Sequence, residues 1–107
     1  RMITRIWYGW TLPENADAYE KLVREKVFRE IEKMKIAGYQ GMQFLRKEGA
    51  DEVEFISMMW FDKLENVKDF VGEDYEVAHI PEEARKLLSR HQERVNHYDV
   101  RHQLDYQ

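Results

Sequence analysis

The stretch Glu52-Val53-Glu54-Phe55-Ile56-Ser57-Met58-Met59-Trp60-Phe61 decides the fold of this chain. From Phe55 to Phe61 every residue except Ser57 is apolar. The run is short for an amphipathic helix. It lies between turn signals, Gly49-Ala50-Asp51 before it and Asp62 after it, so it reads as a β-strand. Successive strand side chains point to opposite faces. Glu54, Ile56, Met58 and Trp60 therefore share one face, and Val53, Phe55, Ser57, Met59 and Phe61 the other. Both faces are largely apolar, which predicts that both are covered, by helices on both sides or by helices and a second subunit.

Upstream, residues 2–10 form a β-rich first strand with Thr4, Ile6, Tyr8 and Trp10 on one face and Ile3, Arg5, Trp7 and Gly9 on the other. Gly9 marks a bulge or a close approach by another group, the bulge being commoner. Arg5 needs pairing or solvent inside a strand; an acid across the sheet is the commoner partner and an anionic ligand the other. Thr11-Leu12-Pro13-Glu14 reads as a capping box with proline in the first turn. The helix it opens runs to about Lys35, with Ala16, Tyr19, Val23, Val27, Ile31 and Met34 on one stripe and Leu22 and Phe28 off it. Gly38 ends it in the left-handed conformation.

Downstream, residues 39–48 form a second strand joined by the hairpin at Gly49-Ala50-Asp51 to the deciding strand. Asp62-Lys63-Leu64-Glu65 opens a short helix with Leu64, Val67, Phe70 and Val71 inward and Gly72 as its stop. Residues 73–80 are ambiguous, Pro81-Glu82-Glu83 starts another helix, and residues 95–101 form the last strand. Residues 102–107 extend that strand or fray. The order β-α-β-β-α-(α)-β predicts an α+β, ferredoxin-like split βαβ domain over residues 1–107, with an antiparallel four-stranded sheet and helices on one face. The simplest cover for the other apolar face is a second copy, so the expected assembly is a homodimer with its sheets face to face.

Composition narrows the function classes. The chain has 107 residues, 43% hydrophobic and 36% charged, enough for one soluble domain. Its net charge of −4, with both signs interleaved, argues against nucleic acid as a partner. No apolar run approaches the roughly 18 residues of a membrane span, and no signal-peptide pattern is visible. There are no cysteines, which removes disulfides, thiolate nucleophiles and Cys-ligated metals and agrees with a cytoplasmic location. The four histidines lack a paired metal-ligand spacing, so no metal site is expected. Arg1 ahead of Met2 reads as an expression remnant.

Several segments together resemble the antibiotic biosynthesis monooxygenase family of dimeric α/β-barrel proteins. They are Met59-Trp60-Phe61-Asp62-Lys63-Leu64-Glu65, Phe70-Val71-Gly72-Glu73-Asp74 with Pro81-Glu82-Glu83 after it, the opening Met2-Ile3-Thr4-Arg5-Ile6-Trp7, Gly38-Tyr39-Gln40-Gly41, and His97-Tyr98-Asp99-Val100. The resemblance spans about residues 2–101. It implies a dimeric barrel and either oxygenation of anthrone- or quinol-type aromatics without metal or flavin, or haem degradation. The oxygenases' strand Trp corresponds to Trp60, while their Asn and Tyr positions hold Ile56 and Asn66. The haem degraders' His corresponds to His79; their helix Trp position offers Phe70, and the first strand has no Asn.

Three functional expectations follow. In the first, the chain is a cofactor-independent monooxygenase for a small hydrophobic, aromatic molecule. His79, with Val77, Ala78 and Ile80 around it, acts as base or donor. Trp60 and Tyr8 wall the pocket if their face turns toward the helices, and Phe70 and His97 join them. In the second, haem binds with His79 as axial ligand. In the third, the chain is a non-catalytic dimeric small-molecule-binding module, and Trp60 and Tyr8 only fill the core. His91 and His102 read as exposed.

Overall fold

The computed structural model describes residues 2–106; Arg1, read above as a remnant, lies outside them, as does Gln107. Strand β1 (Ile3–Thr11) is followed by a 3-10 turn (Pro13–Asn15) and a long helix in three parts: α1 (Ala16–Leu22), a π-helical turn (Val23–Val27) and α2 (Phe28–Met34). Then come β2 (Tyr39–Glu48), β3 (Val53–Phe61), α3 (Leu64–Val71), the one-turn α4 (Glu82–Arg85), and two short strands, β4 (Arg90–His91) and β5 (Asn96–Asp99). The sheet order is β2-β3-β1-β4, with β5 also pairing β1, and every pairing is antiparallel. This is the ferredoxin-like split βαβ arrangement.

The fourth sheet position, expected as one strand over residues 95–101, is made in two pieces. Gly9 pairs with His91, whereas Ile6 pairs with Asn96 and Ile3 with Asp99. The register shifts by two residues between the pieces; Gln92 still donates its N–H to the Tyr8 carbonyl at 3.0 Å, and residues 93–95 turn to pair with residues 76–78. An even shift keeps the face of each side chain, so His97 stays on the same side as its partner Arg5. Residues 101–106 carry no regular structure and are exposed.

The ladder between β1 and β3 runs from Ile3 opposite Phe61 to Thr11 opposite Val53 without a shift. Gly9 is therefore not a bulge. A Cβ there would lie 2.8 Å from the Trp7 indole and 3.2 Å from Leu88, so glycine clears space for the tryptophan two residues earlier. The helix-facing side of the ladder is the buried one: Val53, Phe55, Met59 and Phe61 pack beneath the helices. The face with Ile6, Tyr8, Trp10, Ile56, Met58 and Trp60 carries no helix and is half-buried.

Two local expectations change, and the cap of α3 is seen. Thr11 ends β1 and caps no helix; its Oγ1 is buried without a partner. Lys35, at φ 48°, ends α2 in the left-handed conformation, and Gly38, at φ 77°, serves the turn into β2. The cap of α3 comes from Asn66, whose Oδ1 accepts the Lys63 N–H at 3.1 Å. Asn66 packs so closely over Gly38 that a Cβ there would lie 2.2 Å from Oδ1.

Gly38→Ala is accordingly expected to destabilise by about 1–3 kcal/mol from the positive φ alone, with the steric conflict adding to it. The urea midpoint of the variant checks this, and an unchanged midpoint would contradict it.

Candidate functional site

The core divides into two clusters. At one end of the sheet Ala16, Tyr19, Val23, Val53, Phe55 and Ala84 pack together; at the other, Ile3, Met59, Phe61 and Val67. Midway between them the helix-facing positions are Arg5 and Trp7 on β1 and Ser57 on β3. Ser57 is small, and a cavity of about 160 Å3 opens above it. Arg5, Trp7, Phe44, Ser57 and Met59 form the floor. Val23, Val27, Phe28 and Ile31 form the helix wall, and Phe70 and Val71 the α3 wall. Ala78, His79, Ile80 and Pro81, from the irregular segment before α4, border it on the remaining side.

The π-helical turn shapes the helix wall. A π turn holds one extra residue, which rotates everything after it by about 100° relative to a continuous α-helix. Phe28, off the predicted stripe, is turned onto the sheet, with its ring centroid 5.1 Å from that of Phe44. Met34, on the stripe, is turned outward and is 56% exposed. The segment that lines the cavity is the segment whose winding differs.

Arg5 is the charged group of the floor and is 9% exposed. Its Nη1 donates to the Tyr75 carbonyl at 2.9 Å and lies 2.9 Å from His97 Nε2. Neither partner is an acid, and no carboxylate among the described residues pairs with it, contrary to the commoner expectation. Burial lowers the Arg5 pKa to about 10, which leaves it charged at neutral pH. His97 is half-buried and packs edge-on against Tyr75 at 5.1 Å. Desolvation, then the Arg5 charge, depress its pKa to about 4, against a smaller opposing effect of Glu76. The neutral ring accepts from Arg5 at Nε2, so its proton sits on Nδ1, which is buried without a partner. His97 thus holds Arg5 and has no free lone pair with which to act as a base.

His79 stands at the mouth. Its side chain is 53% exposed, with Nε2 3.4 Å from Asp74 Oδ2. Phe70 lines the cavity. Trp60 and Tyr8 do not: the alternation places both on the uncovered face of the sheet, and Tyr8 stacks there on Trp10 at 6.2 Å. The tryptophan in the cavity is Trp7, whose Nε1 donates to the Gln92 carbonyl at 2.9 Å. His91 is half-buried, 6.0 Å from the Trp7 ring. The signals for the missed residues were present as exceptions in apolar strands, Arg5 and the small Ser57. Among the described residues no three metal-ligating side chains converge, and no helix is long and apolar enough to cross a membrane.

Solved structures share this architecture. A candidate antibiotic biosynthesis monooxygenase from Bacillus cereus matches with a TM-score of 0.64 over 100% of this chain and 99% of its own, at 13% identity. The chain has the fold of the antibiotic biosynthesis monooxygenase-like proteins. The haem degrader MhuD of Mycobacterium tuberculosis, whose active site holds two haems, matches with a TM-score of 0.56 over 96% of this chain and 99% of its own, at 15% identity. A conserved protein from Methanosarcina mazei matches at 0.61, covering 91% and 90%, with 13% identity. At these identities the likeness is one of fold. No family model and no curated protein matches the sequence.

Haem is the group that MhuD brings into question, and the residues here do not fit it. A cavity of about 160 Å3 is close to the roughly 150 Å3 engineered cavity that binds a single benzene ring. A macrocycle needs several times that room. The imidazole bordering the cavity, His79, is half in solvent beside Asp74.

The His97 environment predicts a pH effect. Its pKa rises on unfolding from about 4 toward 6.5, so the unfolded chain binds the proton first. The stability that neutral His97 provides is complete above about pH 6.5 and is lost as pH falls toward 4. Between pH 7 and 4.5 the urea midpoint of the native protein is expected to fall further than that of His97→Gln. Parallel profiles for the two would contradict the assignment.

Proposed function

We propose that this cavity binds a small hydrophobic, aromatic molecule and that the protein acts on it as a cofactor-independent monooxygenase. The observation that carries the binding half is the cavity itself: apolar and aromatic walls around few polar groups, at the size of one ring. Trp7, Phe28, Phe44 and Phe70 offer faces and edges for a flat substrate. The fold shared with candidate monooxygenases supports the reaction class by analogy.

In such a reaction an activated ring methylene becomes a carbonyl. One oxygen atom of O2 enters the product, and the other leaves as water with the two methylene hydrogens, so the substrate supplies all the electrons. The protein's part is to remove a proton from that carbon and keep the resulting carbanion away from bulk water. His79 is the base in this reading. Its Nε2 lies 3.4 Å from Asp74 Oδ2, close enough for the carboxylate to orient the ring. Oxygen uptake with one-ring quinol substrates, which present the ring methylene in their keto tautomer, is expected in the native protein. His79→Gln should lower its rate by roughly 100-fold, the lower range of general-base contributions. Full turnover in that variant would remove the base assignment.

The same proposal includes a homodimer. Ile6, Tyr8, Ile56, Met58 and Trp60 form an apolar face that no helix of this chain covers, and a second sheet packed on it would bury it. A dimer at micromolar concentration is expected by light scattering. Met58→Asp should give a folded monomer, and a native monomer would contradict this assembly.

Haem, too large for the cavity as it stands, serves as the control: a saturating change in visible absorption on haem addition, lost in His79→Ala, would overturn the one-ring reading.

A further inference from the structure

Arg5 poses a question that the apolar walls do not answer. Burying a guanidinium is costly unless an anion or a full set of acceptors compensates it. Here the two acceptors, the Tyr75 carbonyl and His97 Nε2, are both neutral and both meet Nη1. A guanidinium has five N–H donors. Those on Nε and Nη2 have no hydrogen-bond partner among the described residues. Neither is fully enclosed, and Arg5 is one of the residues that line the cavity. The side chain is also held in place: His97 and Tyr75 fix one nitrogen and leave the rest of the planar fork available for a two-oxygen acceptor.

We infer that the ligand of this cavity is an anion, a one-ring aromatic carrying a carboxylate or phenolate oxyanion that Arg5 binds while Trp7, Phe28 and Phe44 enclose the ring. This rests on the cavity being the ligand site proposed above. It adds the charge class of the ligand and makes Arg5 its binding residue. His97 is a positioning residue that acts through Arg5. The size argument agrees, because about 160 Å3 accommodates a single ring with a small substituent. So does the chemistry of the site, since a buried positive charge favours a substrate in its anionic form.

Calorimetric titration with benzoate, its neutral isostere benzamide, and 4-nitrophenolate tests this. Benzoate should bind the native protein roughly tenfold or more tighter than benzamide, the scale of a hydrogen bond to a charged group. In Arg5→Met that preference should vanish while benzamide binding persists. Preference for nitrophenolate over benzoate would assign the oxyanion as phenolate, and the reverse as carboxylate. Benzamide binding as tightly as both anions overturns the anion inference and leaves the cavity reading intact. Benzoate preference surviving in Arg5→Met removes Arg5 as its source. No binding of any probe to the native protein removes the cavity as a ligand site and this inference with it. Loss of oxygen uptake alone touches only the proposed reaction. If Arg5→Met does not fold, the Arg5 Nε–H resonance gives the answer in the native protein: it should shift with benzoate and not with benzamide, and an unmoved resonance at benzoate saturation overturns the assignment.

Discussion

The unbroken pairing of β1 with β3 is the constraint on which the rest of this structure depends. Side chains on paired strands alternate with a period of two, and a slip of one residue would exchange the two faces entirely. With Ile3 opposite Phe61, the ladder sends Val53, Phe55, Met59 and Phe61 beneath the helices and sends Tyr8, Met58 and Trp60 to the other side. It also places Arg5 beside Met59 and Trp7 beside Ser57, in the middle of the helix-covered face. The cavity is a consequence of that register. The large residues sit toward the ends of the ladder, and the smallest side chain of β3's buried face sits between them.

Two features keep this middle region from closing over. The π-helical turn sets Val23, Val27 and Phe28 around the opening instead of packing a regular helix stripe into it. Such turns are rare and occur frequently at functional sites. Arg5, the second feature, is buried, charged and supported by neutral groups alone. A methionine in its place would be compatible with the same packing at lower electrostatic cost. Its presence is easier to explain by what it holds than by what it stabilises.

The other face of the sheet follows a different logic. Ile6, Tyr8, Ile56, Met58 and Trp60 are half-buried, with the Tyr8–Trp10 stack and the Arg90 guanidinium 3.8 Å over the Trp10 ring at one end. Aromatic rings there contribute to a surface and not to the cavity. A tryptophan in an apolar strand thus changes meaning with its parity: Trp60 and Trp7 both lie in largely apolar strand runs and have opposite destinations.

The sequence by itself determined the element order, the hairpin at Gly49-Ala50-Asp51, the stop at Gly72, the two faces of β3 and hence the ferredoxin-like fold. These depend on local periodicity and on turn chemistry, which neighbouring residues set among themselves. It also marked Arg5, Ser57, Phe70 and His79 as departures or candidates worth following. Only the tertiary structure decided which face of the β1–β3 ladder the helices cover. That choice moved Trp60 and Tyr8 away from the cavity and brought Trp7 into it. It alone revealed the π turn that carries Phe28 inward, the pairing of His97 with Arg5 across more than ninety residues, and the lack of an acid beside that arginine. The physical reason is range. A strand's alternation can be read along the chain, but which side is covered, and whether a buried charge finds a counter-charge, depends on residues that meet only when distant segments pack.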